Sequence, residues 1–481
     1  MADLLPMRTK LAFGVGAVGE ASTNWIFNAL TFFYYNQILG LSGTLTGAAV
    51  FIGICFDAIS DPVVGSLSDR TRAKWGRRHP WMLAAPLPVV LSIYFIYHPP
   101  TDMTQWALFA WFLAFLIMMR LSITLFAVPH LALGAELSDD YIERTRVMSY
   151  NNIFTYAGVV TMHIVVWFIV FPAFDNGRMQ QEAYQPIIFF GCALIVIAIM
   201  VSALATRDRI AHLRPAPTDL PPFKIRHLFT DIWATLQNRN YRYLLLGLFF
   251  LSIMIGTHET LGIYMGTFYW ELTDAQIGWL ILNNVFGYIM GFVLAARLHT
   301  QLDKRWTIVV SAVALSIFWS SAVTLRLFDL APDNTSWSLV IFIIGFGTLA
   351  SAGGSIINIS VMSALADVAD EHELATGRRQ EGIFYSARTF FAKASNGAGH
   401  VVAGIALDVI DFPSQASVDM LTAEQIRALG IIDGPFAMIW GLIAAAFYAG
   451  YRIDRNRHTQ VQRQLSDQRA QRTSKQQSQP Q

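Results

Sequence analysis

The sequence predicts an all-α membrane protein with twelve transmembrane helices in two pseudo-symmetric six-helix bundles. Three observations carry this. Of 481 residues, 54% are hydrophobic and only 14% charged, where a soluble protein carries about 25% charged residues. The apolar residues gather into twelve stretches of about the 20 residues that a helix needs to cross a bilayer. The remaining positive charge is sorted by position, and the net charge is only +1, so the global balance gives no reason to expect nucleic acid as a partner.

The spans are read at 11–38, 43–68, 80–98, 105–132, 148–171, 184–205, 241–269, 275–297, 306–326, 337–364, 382–409 and 433–452. MADLLPMRTK lacks the arrangement of a cleavable signal peptide, so the first span is expected to stay as a helix. The loop after span two holds Arg70, Arg72, Lys74, Arg77 and Arg78. The loop after span six holds Arg207, Arg209, Arg214, Lys224, Arg226, Arg239 and Arg242. Span eight is followed by Arg297, Lys304 and Arg305. The connections after spans one, three and seven carry no Lys or Arg, and Arg178 and Arg427 are the main exceptions on that face. The positive-inside rule then places both termini in the cytoplasm of a cell with the protein in its cytoplasmic (inner) membrane.

The long loop carries Pro215, Pro217, Pro221 and Pro222, which marks a linker. The expected organisation is an N-terminal bundle over 1–205, a linker over 206–240, a C-terminal bundle over 241–456 and a tail over 457–481. The tail is rich in Gln, Arg and Ser and is expected to be disordered. The halves echo each other: GSLSDRTRAKWGRR follows span two and ARLHTQLDKRW span eight. GAELSDDYIERTRVMSY follows span four and SALADVADEHELATGRRQEGIFYS span ten. Such duplication is the pattern of a two-bundle transporter with its site between the repeats. Cys55 and Cys192 both lie in apolar segments, so neither a structural disulfide nor a thiolate metal site is expected.

Asp57 and Asp61 stand one helical turn apart within FIGICFDAISDPVVGSL, so their carboxylates share a face. Ionised groups in lipid cost roughly 3 kcal/mol or more and usually face a water-filled path or an ion. A pair on one face suggests a cation site. Gly65, Asp69, Arg70, Gly76, Arg77 and Arg78 form G-x-x-x-D-R-x-x-x-x-x-G-R-R. Its glycines permit close approach and a tight turn, and its charges can bridge helix ends and break again, as a gating loop requires. A purely topogenic basic loop is the plainer reading of the same run.

This loop resembles the signature of the major facilitator superfamily. D-A-I-S-D-P before it, E-L-x-x-D-Y-x-E-R-T after span four and A-D-x-x-D-E-x-E-x-x-T-G-x-R-x-E-G-x-x-Y-S before span eleven sharpen the likeness. Over residues 9 to 410 the chain resembles the glycoside–pentoside–hexuronide:cation symporter family. IRALGIIDGP fits the family's last external loop. The resemblance implies the major facilitator fold and uptake of a sugar, coupled to H+ or Na+, by alternating access. It implies a small sugar or sugar-acid substrate, a coupling cation and the bilayer as partners. No other cofactor and no resident metal are expected, and the expected working unit is a monomer. By the same resemblance Asp57, Asp61 and Thr124 match cation-site residues. Lys393 matches a lysine that faces that site from the other half.

Departures matter too. Ala127 stands where the family's best-known member has a third carboxylate, and Ala21, next to Glu20, where it has a sugar-binding aspartate. Asn151 or Asn152 replaces an arginine, and Arg388 a glutamine. A sodium ion prefers several hard oxygen ligands whereas a proton needs one titratable group, so the missing carboxylate favours the proton.

The remaining candidates come from residue type and placement. Arg120, one turn before Thr124, is either a permanent counter-ion to the aspartates or a ligand for an anionic substrate. Arg388 is a second cation, and two guanidinium groups suit a carboxylate or phosphate, which points to an acidic sugar. His258 and Glu259 lack the second histidine of a zinc helix, so a substrate or gating role competes with packing. Glu20, Trp25, Asn151, Asn152 and Thr389 complete the substrate-site candidates, while Asn283, Asn284 and Asn358 serve sugar hydroxyls or helix contacts. Tyr34 and Tyr35 suit stacking or packing, and His372 reads as a solvated loop residue. SAGGS at 351–355 lacks a following G-K-[ST] and suits close helix packing. No triad or metal-ligand set marks an enzyme. The competing functions are transport of a lysolipid, by a branch related to the same family, and a non-transporting membrane sensor.

Overall fold

The computed structural model describes residues 5–213, 233, 235–334, 336–377 and 381–477. Most of the 206–240 linker, with its prolines, and Arg378 to Gln380 lie outside the described residues. Among the described residues there are thirteen long helices. They are α1 (Met7–Ile26), α2 (Gly43–Arg70), α3 (His79–Tyr97), α4 (Gln105–Glu136), α5 (Tyr141–Ala173), α6 (Gln181–Ala205) and α7 (Arg239–Tyr269). Then come α8 (Asp274–Gln301), α9 (Lys304–Leu327), α10 (Trp337–Thr376), α11 (Glu381–Val409), α12 (Ala423–Tyr448) and α13 (Arg455–Gln477). Two π-helical turns, Phe27–Thr31 and Tyr34–Ile38, prolong α1.

The protein is an all-α integral membrane protein of the major facilitator fold. Ten helices are long and apolar enough to span a bilayer on those grounds alone. The two remaining predicted spans, α1 and α11, are helical but too polar for that criterion. Glu20 and Asn24 interrupt α1, and Arg388, Lys393, Asn396, His400 and Asp408 interrupt α11. Polar helices of this kind belong on the interior of a bundle.

Side-chain caps fix several helix starts. Ser42 accepts from Leu45 N at 3.3 Å, Thr104 from Ala107 N at 3.3 Å, Asp140 from Glu143 N at 2.9 Å and Ser336 from Leu339 N at 3.2 Å. Each satisfies one of the amide groups that a helix start leaves without a partner. Gly377, at φ +70°, closes α10 in the left-handed conformation that glycine adopts without steric cost. The helix thus runs past the expected end at 364, and His372, expected in a solvated loop, is half-buried on α10 against the Phe384 ring.

The chain divides into two compact units. The division follows the expected linker, except that 259–278 and 400–426 join the first unit with residues 1–223. The reason is a dense set of contacts at the end of this unit that carries the connections after α1, α5, α7 and α11, here the distal end. Asp408 on α11 accepts from both Gly43 N and Thr44 N at 2.8 Å and so caps α2 with a full charge. Tyr264 donates to Asn36 Oδ1 at 2.6 Å, and Gln415 to the Ile38 carbonyl at 2.9 Å. Arg178 reaches Asp274 at 2.9 Å and the Leu272 carbonyl at 2.6 Å. A Cβ on Gly404 would lie 2.1 Å from the Gly43 carbonyl oxygen, so only glycine lets α2 and α11 meet here. The distal end of this unit is closed.

The second unit packs α7, α9, α10, α11 and α12 around Tyr241, Leu315, Val361 and Tyr448. Tyr241 donates to the Phe384 carbonyl at 2.7 Å. The tail corrects the expectation of disorder: its described part is α13. Composition hides the reason, because Val461 and Leu465 alone supply the apolar stripe, and both are buried. Burying each contributes about 1.5–3 kcal/mol. Arg457 pairs with Glu371 at 3.7 Å and His458 lies 3.3 Å from Asp367. Asp367 also binds Lys304 at 2.7 Å and accepts from Tyr451 at 3.2 Å.

Candidate functional site

Within the first unit, α2 and α4 bring three of the predicted residues together. The Thr124 hydroxyl lies 3.1 Å from Asp57 Oδ1 and 3.0 Å from Asp61 Oδ1. Asp57 and Thr124 are buried and Asp61 is half-buried. One hydroxyl carries one proton, so it donates to one carboxylate at a time. With both carboxylates ionised, the second contact sets oxygen against oxygen. A proton on either carboxyl, or a cation between them, removes that conflict. Ser60 is buried beside them and donates to the Asp57 carbonyl at 3.2 Å, which holds the turn rather than the ion.

Arg120 is buried one turn before Thr124. Its Cζ sits 3.9 Å above the centre of the Phe27 ring, and its Nη1 donates to Asn24 Oδ1 at 3.2 Å. Asp57 and Asp61 both act on it electrostatically. Its Nε has no hydrogen-bond partner among the described residues. Asn24 and Phe27 were not among the expected site residues. The signal for them was their place on α1, where Asn24 follows Glu20 by one turn on the same face. Buried His400, held by Thr260 at 2.5 Å and within electrostatic reach of Arg120, was also missed.

The other candidates separate. Glu20 is half-buried on α1, while Trp25 packs edge-on against His163 at 6.1 Å. Asn151 is half-buried, its Oδ1 without a hydrogen-bond partner among the described residues, and Asn152 is exposed. Glu259 is exposed in the first unit, whereas its neighbour His258 belongs to the second. There His258 bonds Asp433 at 2.8 Å, and its ring centre lies 4.2 Å from that of Trp319 with the planes tilted by 50°. Asp433 could have been found as the one acid in an otherwise apolar span. Arg388 is half-buried and donates to Asn358 at 3.3 Å, and its Nε has no hydrogen-bond partner among the described residues. Thr389 is exposed and bonds the Tyr385 carbonyl of its own helix at 3.0 Å. Lys393 is half-buried on α11.

The basic loop after α2 forms an ion cluster. Arg78 pairs with Asp69, lies 2.7 Å from Glu136, and donates to Ser68 at 2.6 Å. Arg77 lies 2.9 Å from Glu136, so this acid at the end of α4 anchors both arginines. Arg70 folds back to Ser66 at 3.2 Å. Gly76 adopts φ +73°, the turn that the motif's second glycine predicts, and Gly65 faces Val128 at an ordinary distance.

Comparison with known proteins places these features in context. The sequence profile of the MFS/sugar transport protein family matches residues 12–455. An uncharacterized symporter, sll1374, of Synechocystis sp. is 26% identical, with 96% of this chain and 97% of the relative aligned. The inner membrane symporter YicJ of Escherichia coli is 24% identical over 93% of each chain. A mouse sphingosine-1-phosphate transporter, MFSD2B, is 24% identical over 90% of this chain and 87% of its own. Among solved structures, the nucleoside transporter NupG superposes with a TM-score of 0.60 at 14% identity, covering 93% of this chain and 99% of that one.

Proposed function

The chain belongs to the MFS/sugar transport protein family, a family of membrane transporters and not of enzymes, and we propose that it is a proton-coupled symporter of a sugar or sugar derivative. The observation that carries the coupling is the Thr124 hydroxyl shared between Asp57 and Asp61. A proton on one carboxyl gives every partner in that triad a bond. A sodium ion prefers several hard oxygen ligands, and Ala127 stands at the position that supplies a third acid elsewhere in the family.

In this reading, Arg120 is the counter-ion of the site. Its guanidinium is stacked on Phe27, bonded to Asn24 and held in the field of both aspartates. Arg388 is then the cation that recognises an acidic group on the substrate, with His258 and Asp433 as further polar contacts in its unit. Lys393 senses whether the cation site is occupied. Protonation removes one negative charge from the cluster, which lowers the cost of moving its carboxylates during alternating access. The termini face the cytoplasm and the distal end faces outward, in an inner membrane like that of YicJ. The working unit is a monomer.

The test is uptake of radiolabelled neutral and acidic sugars into vesicles carrying wild type or Asp61→Asn, under imposed proton or sodium gradients. Accumulation driven by a proton gradient, and lost in the variant, is expected. Sodium-driven accumulation that a protonophore leaves intact would refute proton coupling. The similarity to the sphingosine-1-phosphate transporter favours a second reading, movement of a lysolipid through the same coupling site. It becomes the better one when a folded protein accumulates no sugar.

A further inference from the structure

The closed distal end of the first unit carries a cavity that no part of the coupling site uses. Its volume is about 580 Å³, within the range of small-molecule sites. Asn176, Arg178, Gln181, Thr267, Gln415 and Asp419 line it. Gln37 forms part of its floor, where its side chain donates to the Pro413 carbonyl at 3.2 Å and accepts from Ala416 N at 3.0 Å. That network holds the closed end together and is not available to a ligand.

Two buried polar groups in the lining have unused capacity. Thr267 is 3% exposed and its hydroxyl has no hydrogen-bond partner among the described residues. Arg178 is 7% exposed; Asp274 and the Leu272 carbonyl occupy its two terminal nitrogens, while its Nε–H has no partner among the described residues. Both atoms are closed to solvent, so these groups shape the wall, while the exposed side chains of Asn176, Gln181, Gln415 and Asp419 are the ones an occupant meets. Asn176 adds an amide, from a left-handed backbone at φ +57°. Exposed Asp419 adds an acceptor at the rim.

Asp274 already neutralises the Arg178 guanidinium, so the Asp419 carboxylate adds one negative charge at the rim. The lining therefore presents mixed donors and acceptors with one excess carboxylate at the rim, which suits a polyhydroxylated molecule that carries no acidic group. Asp57 lies fourteen residues along α2 from Gly43, roughly 20 Å at 1.5 Å per residue. The contacts of Gly43 with Gly404 and of Asn36 with Tyr264 close the end of the unit between the two places.

We propose that this vestibule is a second binding site, outside the closed end, for a neutral sugar-like solute. It captures the solute before the end opens. The identity of the occupant rests on the sugar-transport reading; the existence of the site does not.

The test is photolabelling of the full chain in nanodiscs with glucose and galactose that carry a diazirine on the anomeric substituent, mapped by mass spectrometry. Adducts are expected on the peptides holding 176–181 and 415–419, competed by excess unlabelled sugar and retained in Asp61→Asn. Ser417→Trp fills the cavity from its exposed rim and should reduce these adducts at least fivefold. Asp419→Lys, a change at the surface, should act in the same direction if the tryptophan variant does not fold. Absence of adducts on these peptides with both probes, or adducts unaffected by both variants, overturns the proposal. Vesicle uptake of the same sugars separates the two readings. Uptake without vestibule labelling removes the outer site alone. Vestibule labelling without uptake supports the site and counts against sugar symport.

Discussion

Removing the charge of Arg120 distinguishes a counter-ion from a substrate ligand. Arg120→Met keeps most of the volume against Phe27 but deletes the guanidinium, its bond to Asn24 and its attraction to Asp57 and Asp61. Removing one partner of a buried ion pair costs about 3–5 kcal/mol, because the other charge is left without compensation. Here Asp61 is only half-buried and Thr124 still supports one carboxylate. The lower end of that range, about 3 kcal/mol, is therefore expected. Adding Asp57→Asn removes one stranded charge, so the double variant should recover about 2 kcal/mol of that loss. Unfolding of the purified protein by SDS titration in bicelles measures all three. A single variant as stable as wild type to within about 0.5 kcal/mol, with weaker uptake of acidic sugars only, would refute the counter-ion argument. It would make Arg120 a substrate ligand.

Three further outcomes follow from particular contacts. Thr124→Val removes the shared hydroxyl at nearly constant shape and should slow gradient-driven uptake by about tenfold or more, as expected for loss of a bond to a charged group; Thr124→Ser should restore most of it. Gly404→Ala drives a Cβ into the Gly43 carbonyl and should force the distal end apart. A cysteine at Thr44 should then react faster with a membrane-impermeant thiol reagent, and an unchanged rate would show that the helices yield elsewhere. Val461→Asp should detach α13, since an unpaired charge replaces one of its two buried apolar contacts. Limited proteolysis after residue 455 should accelerate severalfold, and a protected tail would mean that the Arg457 and His458 pairs hold it alone.

Much of this protein is legible in its sequence because the bilayer imposes a one-dimensional rule. A helix must bond its own backbone and present an apolar surface over a fixed length, so spans read directly from hydropathy. The spacing of Asp57 and Asp61 places them on one face whatever surrounds them. The motif at Gly65 to Arg78 likewise gave its tight turn at Gly76 in advance. Three things needed the tertiary structure. Glu136 anchors Arg77 and Arg78 although 58 residues separate Glu136 from Arg78 along the chain, and nothing local in GAELSDD marks it for that role. The sequence left Arg120 open between two roles; packing against Phe27 and Asn24, with both aspartates in reach, decides its surroundings. The tail looked disordered because two apolar residues in a polar segment are too weak a signal. They become decisive only once α10 offers a surface and Glu371 and Asp367 offer partners. Periodicity and residue type fix what each helix is, since those depend on the chain and the solvent. Which side chain meets which across helices depends on approach distances set by residues such as Gly43 and Gly404, and the folded molecule alone supplies them.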